Sequence, residues 1–427
     1  MAGAAFGILA MGIVEASAGG FAIREESSYF QGMSFAGAAA GGALSSMFWN
    51  PATMTQHAGI NVEGDVTAIF PYAANTPAVG STLLVFGGTG DTGDNALVPA
   101  AYASWQVSSN IWLGVSFNAP FGLSVSFPDL WAGRNYAQNT SLKTYDATPT
   151  IAVRLNDWIS FGAGVQIMYG RADLNTGLLP APGSGVNING DGWGYGFTAG
   201  VTLTPGPNTQ IGIGWRSFVD LKIDGTMGMA PLLPFSTPGG VSTTLKLPDT
   251  VTASIRQRVT DRFSVMGTVE WSDWSRIGTS AVNTAAGGAA LIGGTAVRLP
   301  FQYSDGWFFS VGGEYMISPQ TTVRAGVGYE ISPIVDSVRT PRLPDNDRFW
   351  LSAGLSYKIF STLTVDLAYS HLFVRDTNVN RSAASGNPWF NGAISYIGHV
   401  DASIDIFSVG VRYQFAPPPP PPLIRKG

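Results

Sequence analysis

The side chains able to do acid–base chemistry are few in this 427-residue chain. It has three histidines, His57, His371 and His399, and no cysteine. Hydrolysis or acyl transfer needs a nucleophile beside a general base. Neither a G-x-S-x-G nor an H-E-x-x-H motif accompanies the histidines. We therefore expect no enzymatic activity, and we expect His371 to be a hydrogen-bonded interior residue.

The charged residues exclude two further kinds of site. Asp345 and Asp347 could suggest a metal site, but Arg348 follows directly, so an ion-paired junction between a loop and a strand explains them better. The net charge is −5, and no basic cluster could neutralise a row of phosphates. We expect no metal, no cofactor and no nucleic-acid partner.

The composition indicates that something other than water solvates much of the surface. Only 12% of residues are charged, against roughly 25% in an average soluble protein, and the chain contains 54 glycines. After the N-terminus no apolar run of about 18 residues occurs, so membrane-spanning helices are not expected. A membrane protein without such helices must be a closed barrel, because open backbone in lipid leaves hydrogen bonds unmade.

Residues 1–18 have features of a secretory signal peptide. Residues 2–14 are small and apolar, and Ala16-Ser17-Ala18 forms an A-x-A cleavage site before Gly19. We expect the mature protein to start near Gly19; the alternative, a short membrane anchor, is disfavoured because the run is too short to span a bilayer. No Lys or Arg precedes Arg24, which leaves the true start of the signal peptide open.

Downstream, polarity alternates with a period of two in segments of about ten residues, as in transmembrane barrel strands. Arg324, Glu330, Glu270 and Asp366 each alternate with apolar neighbours such as Val327. A soluble sandwich would also alternate, but it would need more charges on its outer face. We expect the apolar faces to meet lipid and the charged faces to line a lumen.

About fourteen such segments occur, joined alternately by tight turns and long loops, as outer-membrane barrels require. The expected segments are 59–72, 97–108, 111–126, 141–156, 158–175, 190–204, 208–224, 243–259, 262–277, 303–317, 320–331, 347–359, 362–374 and 400–415. We predict an all-β membrane protein of the Gram-negative outer membrane, a 14-stranded antiparallel transmembrane β-barrel over residues 60–415. The Pro-rich residues 416–427 should form a stiff periplasmic tail; a polyproline ligand for a partner is the alternative.

The segment 19–59 is too rich in small residues and too irregular for a strand, yet it precedes the first one. It resembles the N-terminal hatch of the FadL/TodX family of hydrophobic-compound transporters, in which a Gly-Phe start, Gly/Ala-rich turns and an Asn-Pro-Ala motif form a plug inside the barrel. Asn50, Pro51 and Ala52 stand where that motif belongs. Asn-Pro alone also marks ordinary turns, so the position before the first strand is what makes the match specific.

Further stretches agree with the family in the same order, so the resemblance covers nearly the whole mature chain. They include Leu247-Pro248-Asp249, Trp271-Ser272-Asp273-Trp274-Ser275 and LPDNDRFWLSAGLSY at 343–357. The resemblance implies a hatch, a bound apolar ligand and a lateral exit through a kinked third strand. Pro120, Phe121 and Gly122 interrupt that strand here, as a kink requires. A simple strand end at the membrane rim is the alternative.

The resemblance also implies ligand residues. Phe21 should touch the ligand and couple it to the hatch. Where fatty-acid-carrying relatives have basic residues near the pocket, the matching positions hold Thr176 and Tyr303, which leaves carboxylate recognition open. Arg171 lies nearby, but the alternation of the strand places its side chain on the outer face unless a bulge intervenes. It is therefore either a contact for the headgroup of the ligand or an arginine at the membrane interface.

We expect passive uptake of long-chain fatty acids or similar hydrophobic compounds by a monomer in contact with outer-membrane lipids. An acyl chain gains about 0.8 kcal/mol for each buried CH₂, so it would stall in a water-filled pore but not in an apolar pocket. The alternative is a general diffusion porin for small solutes, which would lack the hatch and would conduct ions.

Overall fold

The computed structural model describes residues 19–178, 183–229, 239–292 and 295–415. The expected signal peptide at 1–18 and the expected tail at 416–427 lie outside these residues. Across the described ranges, no helix is long and apolar enough to cross a bilayer.

Fourteen antiparallel strands form one closed barrel, as predicted. The last strand pairs with the first from Ile60↔Phe415 to Pro77↔Gly398, which closes the sheet. The strands are β1 (Ile60–Pro77), β2 (Ala96–Gln106), β3 (Ile111–Asn118 and Gly122–Val125), β4 (Thr140–Asn156), β5 (Ile159–Gly177), β6 (Gly185–Gly206), β7 (Thr209–Arg216 and Val219–Met229), β8 (Gly239–Leu247 and Thr250–Arg258), β9 (Phe263–Ser272), β10 (Gly306–Met316), β11 (Thr321–Ile331), β12 (Arg348–Phe360), β13 (Leu363–Val374 and Thr377–Arg381) and β14 (Tyr396–Phe415).

Short elements complete the described chain. The helical ones are α1 (Ser28–Gln31) and the 3-10 helices Leu44–Phe48, Pro51–Gln56, Leu84–Phe86, Trp274–Ile277 and Ala383–Ser385. The loop between β9 and β10 carries the small strands Thr279–Ala281, Asn283–Thr284, Leu291–Ile292, Thr295–Ala296 and Arg298–Pro300.

Each expected segment corresponds to one strand, but some boundaries differ. Strands β7, β8, β13 and β14 continue into residues expected to be loops, namely 225–242 and 375–399. Beyond the lipid, a strand does not need an apolar outer face, so the alternation that revealed its membrane part is lost. Strand β9 ends at Ser272 rather than 277, because the chain turns inward there and buries Trp274.

The two faces of the wall follow the predicted alternation. Arg324, Glu330, Glu270 and Asp366 point inward and are at most 6% exposed, which confirms their expected orientation. Aromatic side chains form belts near both ends of the outer face, at the depth where such rings meet lipid headgroups. The belt on the long-loop side includes Tyr145, Tyr169, Trp193, Trp307, Phe349 and Phe373, and the belt on the short-turn side includes Trp105, Trp158, Tyr315, Tyr357 and Tyr413.

Residues 19–59, called here the N-terminal segment, pack inside the barrel. Phe30, Met33 and Trp49 are at most 3% exposed and belong to one apolar cluster with inward residues of the wall. The wall approaches this segment so closely that a Cβ at Gly212 or Gly326 would overlap a backbone carbonyl oxygen of the segment. Much of the high glycine content of the strands therefore makes room for the segment.

Candidate functional site

Strand β3 is interrupted between Asn118 and Gly122, and the barrel wall has a gap there. The β2–β3 ladder ends at Ala101↔Phe117. The second part of β3 meets the chain that precedes β2, through the bridge Gly93↔Val125 and the Ser126 amide, which donates to the Thr92 carbonyl at 3.1 Å. Pro120 and Phe121 lie in the interruption, so the break is within the strand and is not a strand end at the rim. On the outer face, a groove lined by Ala101, Phe117, Tyr145 and other residues follows the break.

The N-terminal segment covers this gap from the inside. The Ile23 amide donates to the carbonyl of Pro120 at 2.8 Å, and the Gly122 amide donates to the carbonyl of Phe21 at 2.8 Å. Residues 21–23 thus take the place of the missing strand partner. Backbone groups left open at membrane depth would be costly, so this pairing stabilises the interruption.

An apolar pocket lies on the other side of Phe21. The Phe21 ring packs edge-on against Trp274, with the ring centroids 4.7 Å apart, and against Phe121 at 6.3 Å. Most of the pocket wall is aliphatic or aromatic, and Tyr303 contributes to it. A single side chain, Phe21, therefore contacts both the pocket and the interrupted strand.

Two arginines reach this apolar pocket, Arg342 from the β11–β12 loop and Arg381 from the end of β13. Arg381 is 1% exposed and stacks over the rings of Tyr136 and Trp389 at 4.5 and 5.4 Å. Arg342 is half-buried and donates to Thr176 Oγ1 and to the Tyr136 and Asn175 carbonyls. Within the part of the chain that the structure describes, neither guanidinium has a carboxylate partner.

This burial without a counter-ion has an electrostatic cost. Desolvation lowers the pKa of both arginines, which lie beyond the aromatic belt and outside the membrane-spanning part of the strands. The Nε atoms of both side chains are buried and have no hydrogen-bond partner. Buried charges are normally paired, so an anionic group is the chemical complement of this site.

The expected ligand residues separate into two sets. Phe21 and Tyr303 line the pocket, and Thr176 lies beside it as the acceptor of Arg342. Arg171 lies on the outer face with its side chain 66% exposed, next to Asp173 at 3.5 Å. Arg171 does not line the pocket; the strand has no register shift at this point, so the side chain stays on the outer face.

The sequence did not reveal Arg342 and Arg381 as site residues. Arg381 fell in an expected loop, and Arg342 precedes the matched stretch 343–357 without belonging to an alternating strand pattern. The chain separates the two arginines by a whole hairpin, and only the folded barrel brings them together. Both expected loops also contain other charged residues, such as Arg339 and Arg375, so nothing in the sequence singled out Arg342 and Arg381.

Asn50 begins the second 3-10 helix of the N-terminal segment. Its side-chain oxygen accepts from the Ala52 amide at 3.0 Å, and its Nδ2 donates to the carbonyls of Ala39 and Val201 at 2.8 and 2.9 Å. Pro51 occupies the first helical position, where its missing amide leaves nothing unsatisfied. The motif Asn50, Pro51 and Ala52 therefore fastens the segment to itself and to the wall.

Two histidines, His371 and His399, contact carboxylates, and Asp345 contacts an arginine. His371 is hydrogen-bonded to Asp405 at 2.8 Å, but its side chain lies on the outer face of the barrel and not in the interior. Every second residue of the strand faces lipid, and His371 falls in the same series as Leu367 and Tyr369. His399 meets Asp401 at 3.1 Å on the exposed edge of the wall. Asp345 pairs with Arg348 at the start of β12, as expected for a loop–strand junction.

Comparisons with known proteins agree with this architecture. The family model described as outer membrane protein transport protein (OMPP1/FadL/TodX) matches residues 9–415. The chain is 24% identical over 333 residues to the long-chain fatty acid transport protein of Salmonella typhi, covering 70% of this chain and 75% of that protein.

Solved structures show the same fold. A Pseudomonas aeruginosa FadL homologue superposes with a TM-score of 0.81 at 22% identity, over 93% of this chain and 100% of the other. The P. putida toluene transporter TodX gives 0.66 at 15% identity, over 94% and 99%. The chain therefore belongs to the OMPP1/FadL/TodX family and is an outer-membrane transport protein, not an enzyme.

Proposed function

We propose that this protein takes up long-chain fatty acids, or amphipathic monocarboxylates of similar shape, passively across the outer membrane. The observation that carries the proposal is the pair of arginines without a carboxylate partner, Arg342 and Arg381, at a mainly apolar pocket. The acyl chain would bury its methylenes in the pocket, and the carboxylate would meet the guanidinium groups. The name of the Salmonella typhi relative supports this substrate class.

A neutral aromatic hydrocarbon, as the name toluene transporter implies for TodX, is the competing substrate class. Such a ligand would fill the apolar part of the pocket but would leave both guanidinium groups without an anion. Buried, unpaired cations favour the carboxylate. A general diffusion porin fits less well, because the N-terminal segment fills the lumen and wall glycines accommodate it closely.

The route that we propose leads from the pocket past Phe21 to the gap in β3 and then sideways into the lipid. The N-terminal segment acts as a hatch: it closes the lumen to water and ions, and it uncovers the gap when the ligand displaces Phe21. The groove on the outer face beside Ala101 and Phe117 provides the apolar end of this route. An acyl chain would then remain in apolar surroundings throughout.

Binding measurements with oleate and methyl oleate test the substrate class. The wild-type protein should bind oleate more tightly than its ester, and Arg342→Gln with Arg381→Gln should remove that preference. The expected loss for oleate is about tenfold or more, the effect of losing a hydrogen bond to a charged group. Arg171→Gln is the matched control and should change neither affinity. Equal binding of acid and ester by the wild type would instead favour a neutral substrate.

A further inference from the structure

Glu26 lies at the gap of the barrel wall and contacts both of its edges, β3 through its carboxylate and β2 through its backbone carbonyl. Glu26 is fully buried, and its two side-chain oxygens accept hydrogen bonds from the Ala119 amide at 3.1 Å and from Asn118 Nδ2 at 2.8 Å. Asn118 is the last residue of the first part of β3 and Ala119 follows it, just beyond the point where the ladder to β2 stops. The N-terminal segment thus supplies hydrogen-bond acceptors at the point where the pairing between β2 and β3 stops.

Strand β2, on the opposite edge of the gap, also contacts Glu26. Tyr102 of β2 donates its hydroxyl hydrogen to the backbone carbonyl of Glu26 at 2.7 Å. Asn118 Nδ2 also donates to the Tyr102 hydroxyl oxygen at 2.8 Å. Glu26, Tyr102 and Asn118 therefore form a closed network that joins the N-terminal segment, β2 and β3.

Among the described residues, no arginine or lysine forms an ion pair with this carboxylate. The nearest cation that influences it is Arg216, but that side chain is bound to Asp146 at 2.6 Å and to Gln166 at 2.5 Å. The side chain of Glu25, the adjacent acid, accepts a hydrogen bond from the amide of Arg24 at 2.8 Å. A buried carboxylate held by neutral donors is stable only while those donors stay in place, so its hydrogen bonds and the geometry of the gap depend on each other.

The network is mechanically connected to the ligand pocket. Phe21 lines the pocket, and residues 21–23 are hydrogen-bonded to the far side of the interruption, at Pro120 and Gly122. A ligand that displaces Phe21 would pull on a short, extended stretch of chain that ends at Glu26. Breaking the hydrogen bonds of residues 21–23 should weaken those of Glu26, because both sets belong to one short stretch of backbone.

We propose that Glu26 is the latch of the lateral exit: its carboxylate binds the β3 edge and its backbone carbonyl binds Tyr102 of β2, so that the gap stays closed until a ligand moves Phe21. Glu26 is a positioning residue, since it does not line the pocket. The inference rests on the proposed route through the gap. It adds the residue that couples occupancy of the pocket to opening of the wall.

A double-mutant cycle of Glu26→Gln and Asn118→Asp tests the latch. Glu26→Gln removes the carboxylate, and Asn118→Asp sets two carboxylates against each other, so either change should loosen the gap. In the double variant the amide at position 26 can donate to the carboxylate at position 118, which restores the hydrogen bond with donor and acceptor exchanged. Glu25→Gln is the matched control, because Glu25 has no side-chain contact with β3 among the described residues.

The readouts are amide hydrogen exchange of residues 117–123, oleate affinity and oleate uptake at saturating concentration. Each single variant should exchange about tenfold faster and take up oleate faster, with affinity nearly unchanged, while the double variant should return towards wild type. Strictly additive effects, or a change in affinity without a change in exchange, would overturn the latch.

Failure of the latch and failure of the route give different results. A bulky label in the outer groove at Ala101→Cys blocks the route itself, whatever Glu26 does. If that label leaves uptake unchanged, lateral exit is wrong and the latch has no role in transport. If the label stops uptake but the cycle is additive, the exit stands and only the assignment of Glu26 is wrong.

Discussion

Gly32 at the end of α1 and Gly354 of β12 lie back to back inside the barrel. A Cβ built on either residue would come within 2.8 Å of the Cα of the other. Real Cβ atoms do not approach backbone this closely, so each position tolerates only glycine without movement of the N-terminal segment or the wall. The contact shows how tightly the segment is fitted to the barrel.

We therefore expect Gly354→Ala to destabilise the folded barrel by about 1–3 kcal/mol, the usual cost of overpacking. Gly64→Ala is the control, because a Cβ at Gly64 meets nothing within 4 Å. Unfolding in denaturant, followed by tryptophan fluorescence in detergent, measures both. Equal stability of the two variants would mean that the segment moves away from β12 at little cost.

The prediction for Asn50 concerns the fastening of the N-terminal segment. Asn50→Ala would leave the Ala52 amide and the carbonyls of Ala39 and Val201 without this partner. Each unsatisfied buried group costs about 1–3 kcal/mol, so the segment should loosen. We expect higher ion conductance in planar bilayers together with slower oleate uptake.

Asn110→Ala, in an exposed turn, is the control for Asn50→Ala and should behave as wild type. A folded Asn50→Ala protein that remains electrically silent and transports normally would show that the motif is an ordinary turn. Its assigned part in the hatch would then be withdrawn.

The ion pair of Arg24 should contribute strongly to stability. Arg24 lies 2.5 Å from Glu270 and 3.5 Å from Glu330, with all three side chains at most 10% exposed. Arg24→Met would leave two buried carboxylates without their cation, which typically costs about 3–5 kcal/mol. Adding Glu270→Gln should recover part of the loss, and urea titration of the three proteins measures it.

Arg375→Met is the comparison for Arg24→Met. Arg375 is 73% exposed and lies 3.8 Å from Asp347, so its removal should cost at most about 1 kcal/mol. Similar losses for Arg24→Met and Arg375→Met would show that the inner pair is hydrated and does not hold the segment.

The sequence predicted the barrel well because lipid imposes a strict rule on each strand. Every second residue must be apolar where the wall meets the membrane, and this is why Arg324 and Asp366 could be placed inside. The rule ends at the membrane surface, so the extensions of β7 and β13 were missed. His371 was placed wrongly although its parity with Leu367 was available.

The site could be predicted less well than the barrel, because residues that are far apart in the sequence form it. Resemblance pointed to Phe21 and Tyr303, which the structure brings to one pocket, whereas strand alternation already placed Arg171 on the outer face, where it lies. Arg342 comes from a loop and Arg381 from the end of β13, and Glu26 meets donors that lie about ninety residues later in the chain. The spacing of residues within one segment of the sequence cannot reveal such long-range contacts.

The most direct test of lateral exit is oleate uptake after a bulky maleimide has been attached at Ala101→Cys, beside the gap. The chain has no cysteine of its own, so labelling is specific. Val311→Cys, 64% exposed on the lipid face of β10 and away from the groove, is the matched control. We predict that the label at position 101 abolishes most of the uptake while oleate binding persists, and that the label at 311 has no effect. Unchanged uptake by the labelled Ala101→Cys protein would contradict exit through the gap in β3.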